Sequence, residues 1–132
     1  MNIKNQVFEY IREHPGCSYV ELERFFDGIG FEWRGDIAFV HEQYEKVIFW
    51  TNWNQEAFGI LCELEAEKRI VKKPAPPWLY LIDGKGLPYP VIRSMPDCKA
   101  EHWLPVVYSV IETSINDLAS GPDKISRRRA FR

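Results

Sequence analysis

At 132 residues, with a formal charge of −2 and 45% hydrophobic residues, the chain is long enough to bury one core and too short for two ordinary domains. Aromatic residues at 14% argue against disorder over most of the length, and no apolar run approaches the roughly 20 residues of a bilayer span. The opening MNIKNQVFEY lacks the basic-then-apolar order of a secretory signal, and three scattered cysteines suit a reducing compartment, so a cytoplasmic location without membrane contact is expected.

The small net charge conceals an asymmetry. Residues 121–132 carry Lys124, Arg127, Arg128, Arg129 and Arg132 against Asp123, a local charge of +4, which leaves −6 for the other 120 residues. A body of that sign does not attract a polyanion in general, so any nucleic-acid contact has to come from a local patch or from the basic end. The expected organisation is one domain over 1–120 and a basic, disordered tail over 121–132.

In chain order, Ile3, Val7, Tyr10 and Ile11 recur at helical spacing, and the helix stops where His14 meets Pro15 and Gly16. Ser18 and Glu21 form an S-x-x-E capping box, which opens a second helix with Leu22, Phe25, Phe26 and Ile29 on its apolar face. The runs 36–40 and 46–50 are rich in β-branched and aromatic residues around the polar HEQYE, which predicts a β-hairpin or a strand-loop-strand. Asn52 or Asn54 is placed to cap a third helix over NQEAFGILCELEAEKRI, with Ala57, Ile60, Leu61 and Leu64 inward.

Beyond Ile70 the pattern becomes extended, bends at Pro74, Pro76 and Pro77, and resumes as a second strand over Trp78–Ile82. Residues 103–118 predict a strand and then a C-terminal helix, which Pro105 confines to its own C-terminal side, where Val107, Val110, Ile111, Ile115 and Leu118 supply a helical stripe. Of the five tryptophans, Trp78 beside the prolines is expected to stay partly exposed while the others pack inside. Two capped helices, then a helix ending in Lys68-Arg69 and running into a hairpin, point to an α+β domain of winged-helix type. Its unusual parts are a β-hairpin between helices two and three and a C-terminal helical extension.

Two segments also resemble a group of small proteins from phages and pathogenicity islands of Gram-positive bacteria. They are VIFWTNWNQEAFGILCELEAEKRI running into YLIDGKGLPYPVI, and HWLPVVY at 102–108. The resemblance covers about residues 46–108 and implies an accessory protein of a mobile element, a context in which DNA binding and inhibition of other proteins are common. It carries over no catalytic or ligand residue.

Reading DNA through such a scaffold requires a groove-facing helix and cations for the phosphates. Asn54, Gln55, Lys68 and Arg69 are the candidates for base edges. Lys72, Lys73, Arg127, Arg128 and Arg129 are the candidates for phosphates. Against this stand Glu56, Glu63, Glu65 and Glu67 on the same helix, whose charge repels a DNA backbone and whose ordinary role is solvation. A protein-interaction module on the same scaffold, dimerising through the C-terminal helix, is the rival, because fold does not dictate function.

His14-x-x-Cys17 and Cys98-x-x-x-His102 each have ligand spacing but fall short of the four ligands of a structural zinc site. Asp83-Gly84-Lys85-Gly86 has the composition of a phosphate loop without its spacing or its following helix. Cys62 reads as helix packing, and Glu63 with Glu67 as a solvated pair. No metal, no cofactor and no enzymatic role are expected.

Overall fold

The computed structural model describes residues 2–92 and 100–111, and over them the architecture is mixed α+β, with four helices and two small sheets. Helix α1 (Ile3–Glu13) is capped by Asn2, whose side chain accepts from the Asn5 amide, and it buries Val7 and Ile11. Helix α2 (Tyr19–Gly28) starts at Ser18 with the capping box formed in both directions, so two otherwise unpaired amides are satisfied reciprocally. Gly16 turns the chain between them at a φ of +75°, a region open to glycine at little cost.

The hairpin expected before the third helix is present as β1 (Arg34–Val40) and β2 (Val47–Trp53), paired antiparallel. Strand β2 is the middle of a three-stranded sheet, with β4 (His102–Trp103) alongside it in parallel. Val47, Ile48, Phe49 and Trp50 are all buried, the signature of a strand covered on both faces. Near its start β1 comes so close to the end of β2 that a Cβ on Gly35 would lie 2.6 Å from the Asn54 Cα and 2.8 Å from the Trp53 carbonyl oxygen.

Helix α3 (Gln55–Ala66) is capped by Asn54 and is shorter than its sequence pattern predicts. It ends because Lys68 adopts a left-handed φ of +61°, which lets the Arg69 amide reach the Leu64 carbonyl at 3.0 Å and the Lys68 amide reach that of Glu65 at 3.0 Å. A lysine there stands where glycine is usual, and the missing glycine is why the pattern runs on to Ile70.

Two expectations are corrected after Ile70. Strand β3 (Ile70–Pro74) forms, but its partner is β5 (Val106–Val110), in antiparallel register from Ile70 with Val110 to Pro74 with Val106. Trp78–Ile82, expected as the returning strand, is the short helix α4. The predicted C-terminal helix is a strand as far as Val110, and its remainder from residue 112 lies outside the described residues. Strand β5 also pairs with Cys17, whose amide and carbonyl both bond Tyr108, at 2.9 and 2.8 Å. This ties the α1–α2 connection to β5 and, through it, to β3.

An aromatic core joins these layers. Tyr19 stacks on Trp50 with centroids 5.7 Å apart, meets Trp53 and Tyr108 edge-on, and shares a hydroxyl–hydroxyl bond of 2.9 Å with Tyr108. The buried Tyr80 hydroxyl donates to the Val106 carbonyl at 2.6 Å and accepts from the Tyr19 amide at 3.1 Å. Four tryptophans are buried, while Trp78 is 59% exposed, as its place beside the prolines predicts.

Gly35 is the most sensitive backbone position this packing identifies. Gly35→Ala has to push β1 off Asn54, and chemical denaturation should show a loss of about 1–3 kcal/mol. Gly59→Ala, where nothing lies within 4 Å of the added carbon, is the control and should be neutral or stabilising.

Candidate functional site

The residues expected to read DNA do not form one surface. Asn54 spends both ends of its amide locally: Oδ1 accepts from the Ala57 amide at 2.8 Å, and Nδ2 donates to the Glu32 carbonyl at 2.8 Å. The cap that starts α3 therefore removes Asn54 as a base reader. Gln55 is exposed, but it sits at the opposite end of α3 from Lys68, about 18 Å away along a 12-residue helix.

The cationic corner is also thinner than expected. Lys72 is only 9% exposed, with its ammonium 3.3 Å from Glu65 Oε1 and 4.2 Å from the centre of the Phe49 ring. Strand alternation turns it inward with Ile70, which corrects its assignment as a phosphate contact. The Arg69 guanidinium lies 4.2 Å over the Phe8 ring, with Nη1 3.6 Å from Glu67. Lys68 and Lys73 stay exposed. Arg127, Arg128 and Arg129 lie outside the described residues. On the outward face of α3, Lys4 of α1 bonds Glu63 at 3.2 Å and Glu67 more closely still; this holds Glu67 below the usual carboxylate range and raises Lys4.

A different surface stands out at α4. Trp78, Leu81 and Ile82 are 59%, 66% and 75% exposed, and their i, i+3, i+4 spacing places them on one face. Five residues are too few to hold a helix by themselves, so α4 persists through its anchors. Tyr80 is buried between Tyr19 and Val106, and Asp83 accepts from Arg24 at 3.3 Å and from the Ser18 hydroxyl at 3.3 Å. Lys85, just beyond, bonds Glu23.

Glu23 is the buried charge under this surface, 4% exposed. Its Oε2 accepts from the Trp50 indole at 2.8 Å and the Trp53 indole at 2.9 Å, and its Oε1 pairs with Lys85. With both oxygens engaged, the carboxylate is a structural tie between α2, β2 and the segment after α4. Cys17, sealed in the core, has its thiol pushed up by burial, which removes it as a nucleophile. Among the described residues no three His, Cys, Asp or Glu side chains gather as a metal set would, and no helix is long and apolar enough to cross a membrane.

A cleft of about 310 Å³ opens between β1 and α3, lined by Val40, Glu42, Phe49, Phe58, Cys62, Glu65 and Lys72 among others. Next to it His41 is 3% exposed; its Nδ1 accepts from the Gln43 amide at 3.1 Å, and its Nε2 has no hydrogen-bond partner among the described residues.

The sequence pointed to neither the α4 face nor Glu23. A signal for Glu23 was present: it stands four residues after Tyr19 and three before Phe26, both on the buried face of α2. The α4 face carried no comparable signal, because WLYLI suits a buried strand equally well.

No protein-family model matches the chain, and no solved structure matches it. Among curated proteins, an N-acetyllactosaminide alpha-2,3-sialyltransferase of Haemophilus influenzae is 29% identical over 90 residues, 62% of this chain. The chain spans 27% of that relative's length. This match overturns the expectation that no enzymatic role attaches to the sequence, since the relative is named for a reaction.

Burial lowers the His41 pKa, and the nearby Lys72 lowers it further, against a smaller opposing effect of Glu42. The folded state therefore favours the neutral ring, and its contribution is present above the ordinary value of 6.5 and lost as pH falls from there through the lowered value. Urea midpoints measured from pH 7.5 to 5 should fall more steeply for the wild type than for His41→Gln. Parallel pH profiles would show that His41 carries no such linkage.

Proposed function

We propose that the chain is a docking module of winged-helix type that serves glycosyl transfer by holding a transferase partner against the exposed face of α4. The observation that carries this reading is the trio Trp78, Leu81 and Ile82, presented to solvent by a helix whose every anchor is buried or ion-paired. Apolar groups grouped on one rigid face favour association, and tryptophan is enriched among residues that dominate binding energy.

The finer fold reading is supported by strand order. Cys17, β5 and β3 lie side by side in that order, and α3 leads directly into β3, as the helix before a wing does. On this reading the wing strands are β3 and β5, with residues 75–105 inserted between them and the hairpin inserted before α3. The partner class follows from the sialyltransferase match: a segment like this one accounts for about a quarter of that protein, a length that suits one module of a larger enzyme. The resemblance to small proteins of phages and pathogenicity islands supports an accessory role in a mobile element.

Duplex DNA contact is the second reading, favoured by the exposure of Lys68 and Lys73 near the end of α3 and on β3. The rest of α3 weighs against it, because Glu56 and Glu63 are exposed on that helix and Glu67 is exposed at its C-cap.

Grafting tests the first reading. In a chimera of the Haemophilus protein whose similar segment is replaced by this chain, sialyl transfer to N-acetyllactosaminide should persist within about tenfold, or about 1.4 kcal/mol of barrier. Adding Leu81→Asp and Ile82→Asp should abolish it. A folded but inactive chimera, or one indifferent to the two aspartates, contradicts the proposal. A salt titration of duplex binding addresses the second reading: Lys68→Glu/Lys73→Glu should flatten the slope by about two if both contact phosphate, and no binding at low salt removes it.

A further inference from the structure

Strand β1 lies on the outside of its sheet: β2 pairs with one edge, and among the described residues no strand pairs with the other. The ladder tells which backbone groups that leaves open. The His41 amide bonds the Val47 carbonyl at 3.0 Å and so points toward β2. From the pair Ile37–Trp53 to the pair Val40–Ile48, β2 moves five residues where β1 moves three, so the extra residues belong to β2 and β1 keeps its alternation. The amides and carbonyls of Ala38 and Val40 therefore point away from β2, and no backbone outside the sheet bonds them among the described residues. The usual protection of an edge is missing there, because Ile37–Val40 carry no charge and no proline.

Ala38 and Val40 also line the cleft against α3, with Phe39 between them and Phe58 and Cys62 across from them. Successive side chains of a strand leave opposite faces, so a space that touches three residues in a row runs along the edge rather than over one face. The edge offers hydrogen bonds and the cleft offers apolar wall, with Val40 47% exposed. An extended backbone with alternate apolar side chains satisfies both, whereas a helix has spent its backbone groups along its length. The other end of β1 specifies a charge. Gly35 is packed on Asn54, so Asp36 and Glu56 stand at the same end. Both are exposed and neither is ion-paired among the described residues, while Arg34 is held by Asp27 and Glu32. A cation complements that end.

We infer that an extended segment of a partner protein adds to the outer edge of β1 as a fourth, antiparallel strand. Its backbone exchanges hydrogen bonds with Ala38 and Val40, its alternate apolar side chains enter the cleft, and a basic residue lies beside Asp36 and Glu56. In antiparallel order that basic residue follows the apolar ones in the partner's sequence. Affinity then comes from the main chain, and selectivity from the cleft and the two carboxylates. The inference stands apart from the α4 reading: either one can fail while the other holds.

The probe is the peptide acetyl-Thr-Val-Thr-Val-Thr-Lys-amide, titrated into the full-length chain and followed by amide NMR. Shifts should saturate, be half-complete by about 1 mM peptide, and centre on 36–42 and 58–66. N-methylating one alternate set of peptide residues should weaken binding about tenfold or more, and the other set, whose amides face solvent, about threefold or less. Exchanging the peptide's lysine for glutamate should weaken binding about fivefold, and Asp36→Asn/Glu56→Gln in the chain should erase that preference. No saturable binding, shifts centred on α4, or equal losses from the two methylated sets overturns the inference. Line broadening at 36–40 that grows with the concentration of the chain alone also overturns it, by seating a second copy's strand on the edge.

Discussion

The carboxylate of Glu23 is the interaction on which the rest of the structure depends. It is a buried charge in an aromatic core, a costly arrangement unless each acceptor is matched. Two indole N–H groups and one ammonium supply the match, and they come from β2 and from the segment after α4. Removing the carboxylate leaves two buried indoles without an acceptor, at about 1–3 kcal/mol each, while Lys85, half exposed, can turn to water. The interaction is thus asymmetric: the tryptophans need Glu23 more than Lys85 does.

That tie explains how a five-residue helix can present a bare apolar face. Glu23 and Arg24 are neighbours on α2; one holds Lys85 and the other Asp83, so the C-terminal side of α4 is fastened at two points. Tyr80 fastens it from beneath, through Tyr19 and β5. The exposed Trp78, Leu81 and Ile82 are consequently the outer side of an element whose inner side is part of the core. The cleft beyond β1 is built differently, from strand edge, helix and one buried ion pair, and the two surfaces have unlike chemistry.

Elements whose cues are local were legible in the sequence. Ser18 with Glu21 fixes the start of α2, Pro15-Gly16 the end of α1, and the paired β-rich runs the hairpin. What was missed depends on distance or on ambiguity. The partner of β3 lies some 35 residues away, and no periodicity within Trp78–Ile82 separates a short helix from a short buried strand. The site was less legible than the fold, and for a shared reason: residues chosen for their side-chain chemistry were already engaged by structure. Asn54 was identified both as a cap and as a base reader, and it serves as the cap. Lys72 follows Ile70 by two residues on a strand, so alternation already placed it inward. Lys68 ends α3 in a left-handed conformation that sequence alone gives to glycine.

The central claim is that one carboxylate locks both indoles and thereby orders the α2–β2–α4 assembly. Hydrogen exchange at the indole Nε1 positions of Trp50 and Trp53 tests it most directly, read by NMR in the wild type and in Glu23→Leu. In the wild type both protons should exchange only with global unfolding, as slowly as the best-protected backbone amides. In the variant both should exchange by local opening, orders of magnitude faster than the amides of α1. Indole protons that exchange within milliseconds in the wild type, or that keep full protection in the variant, would contradict the account.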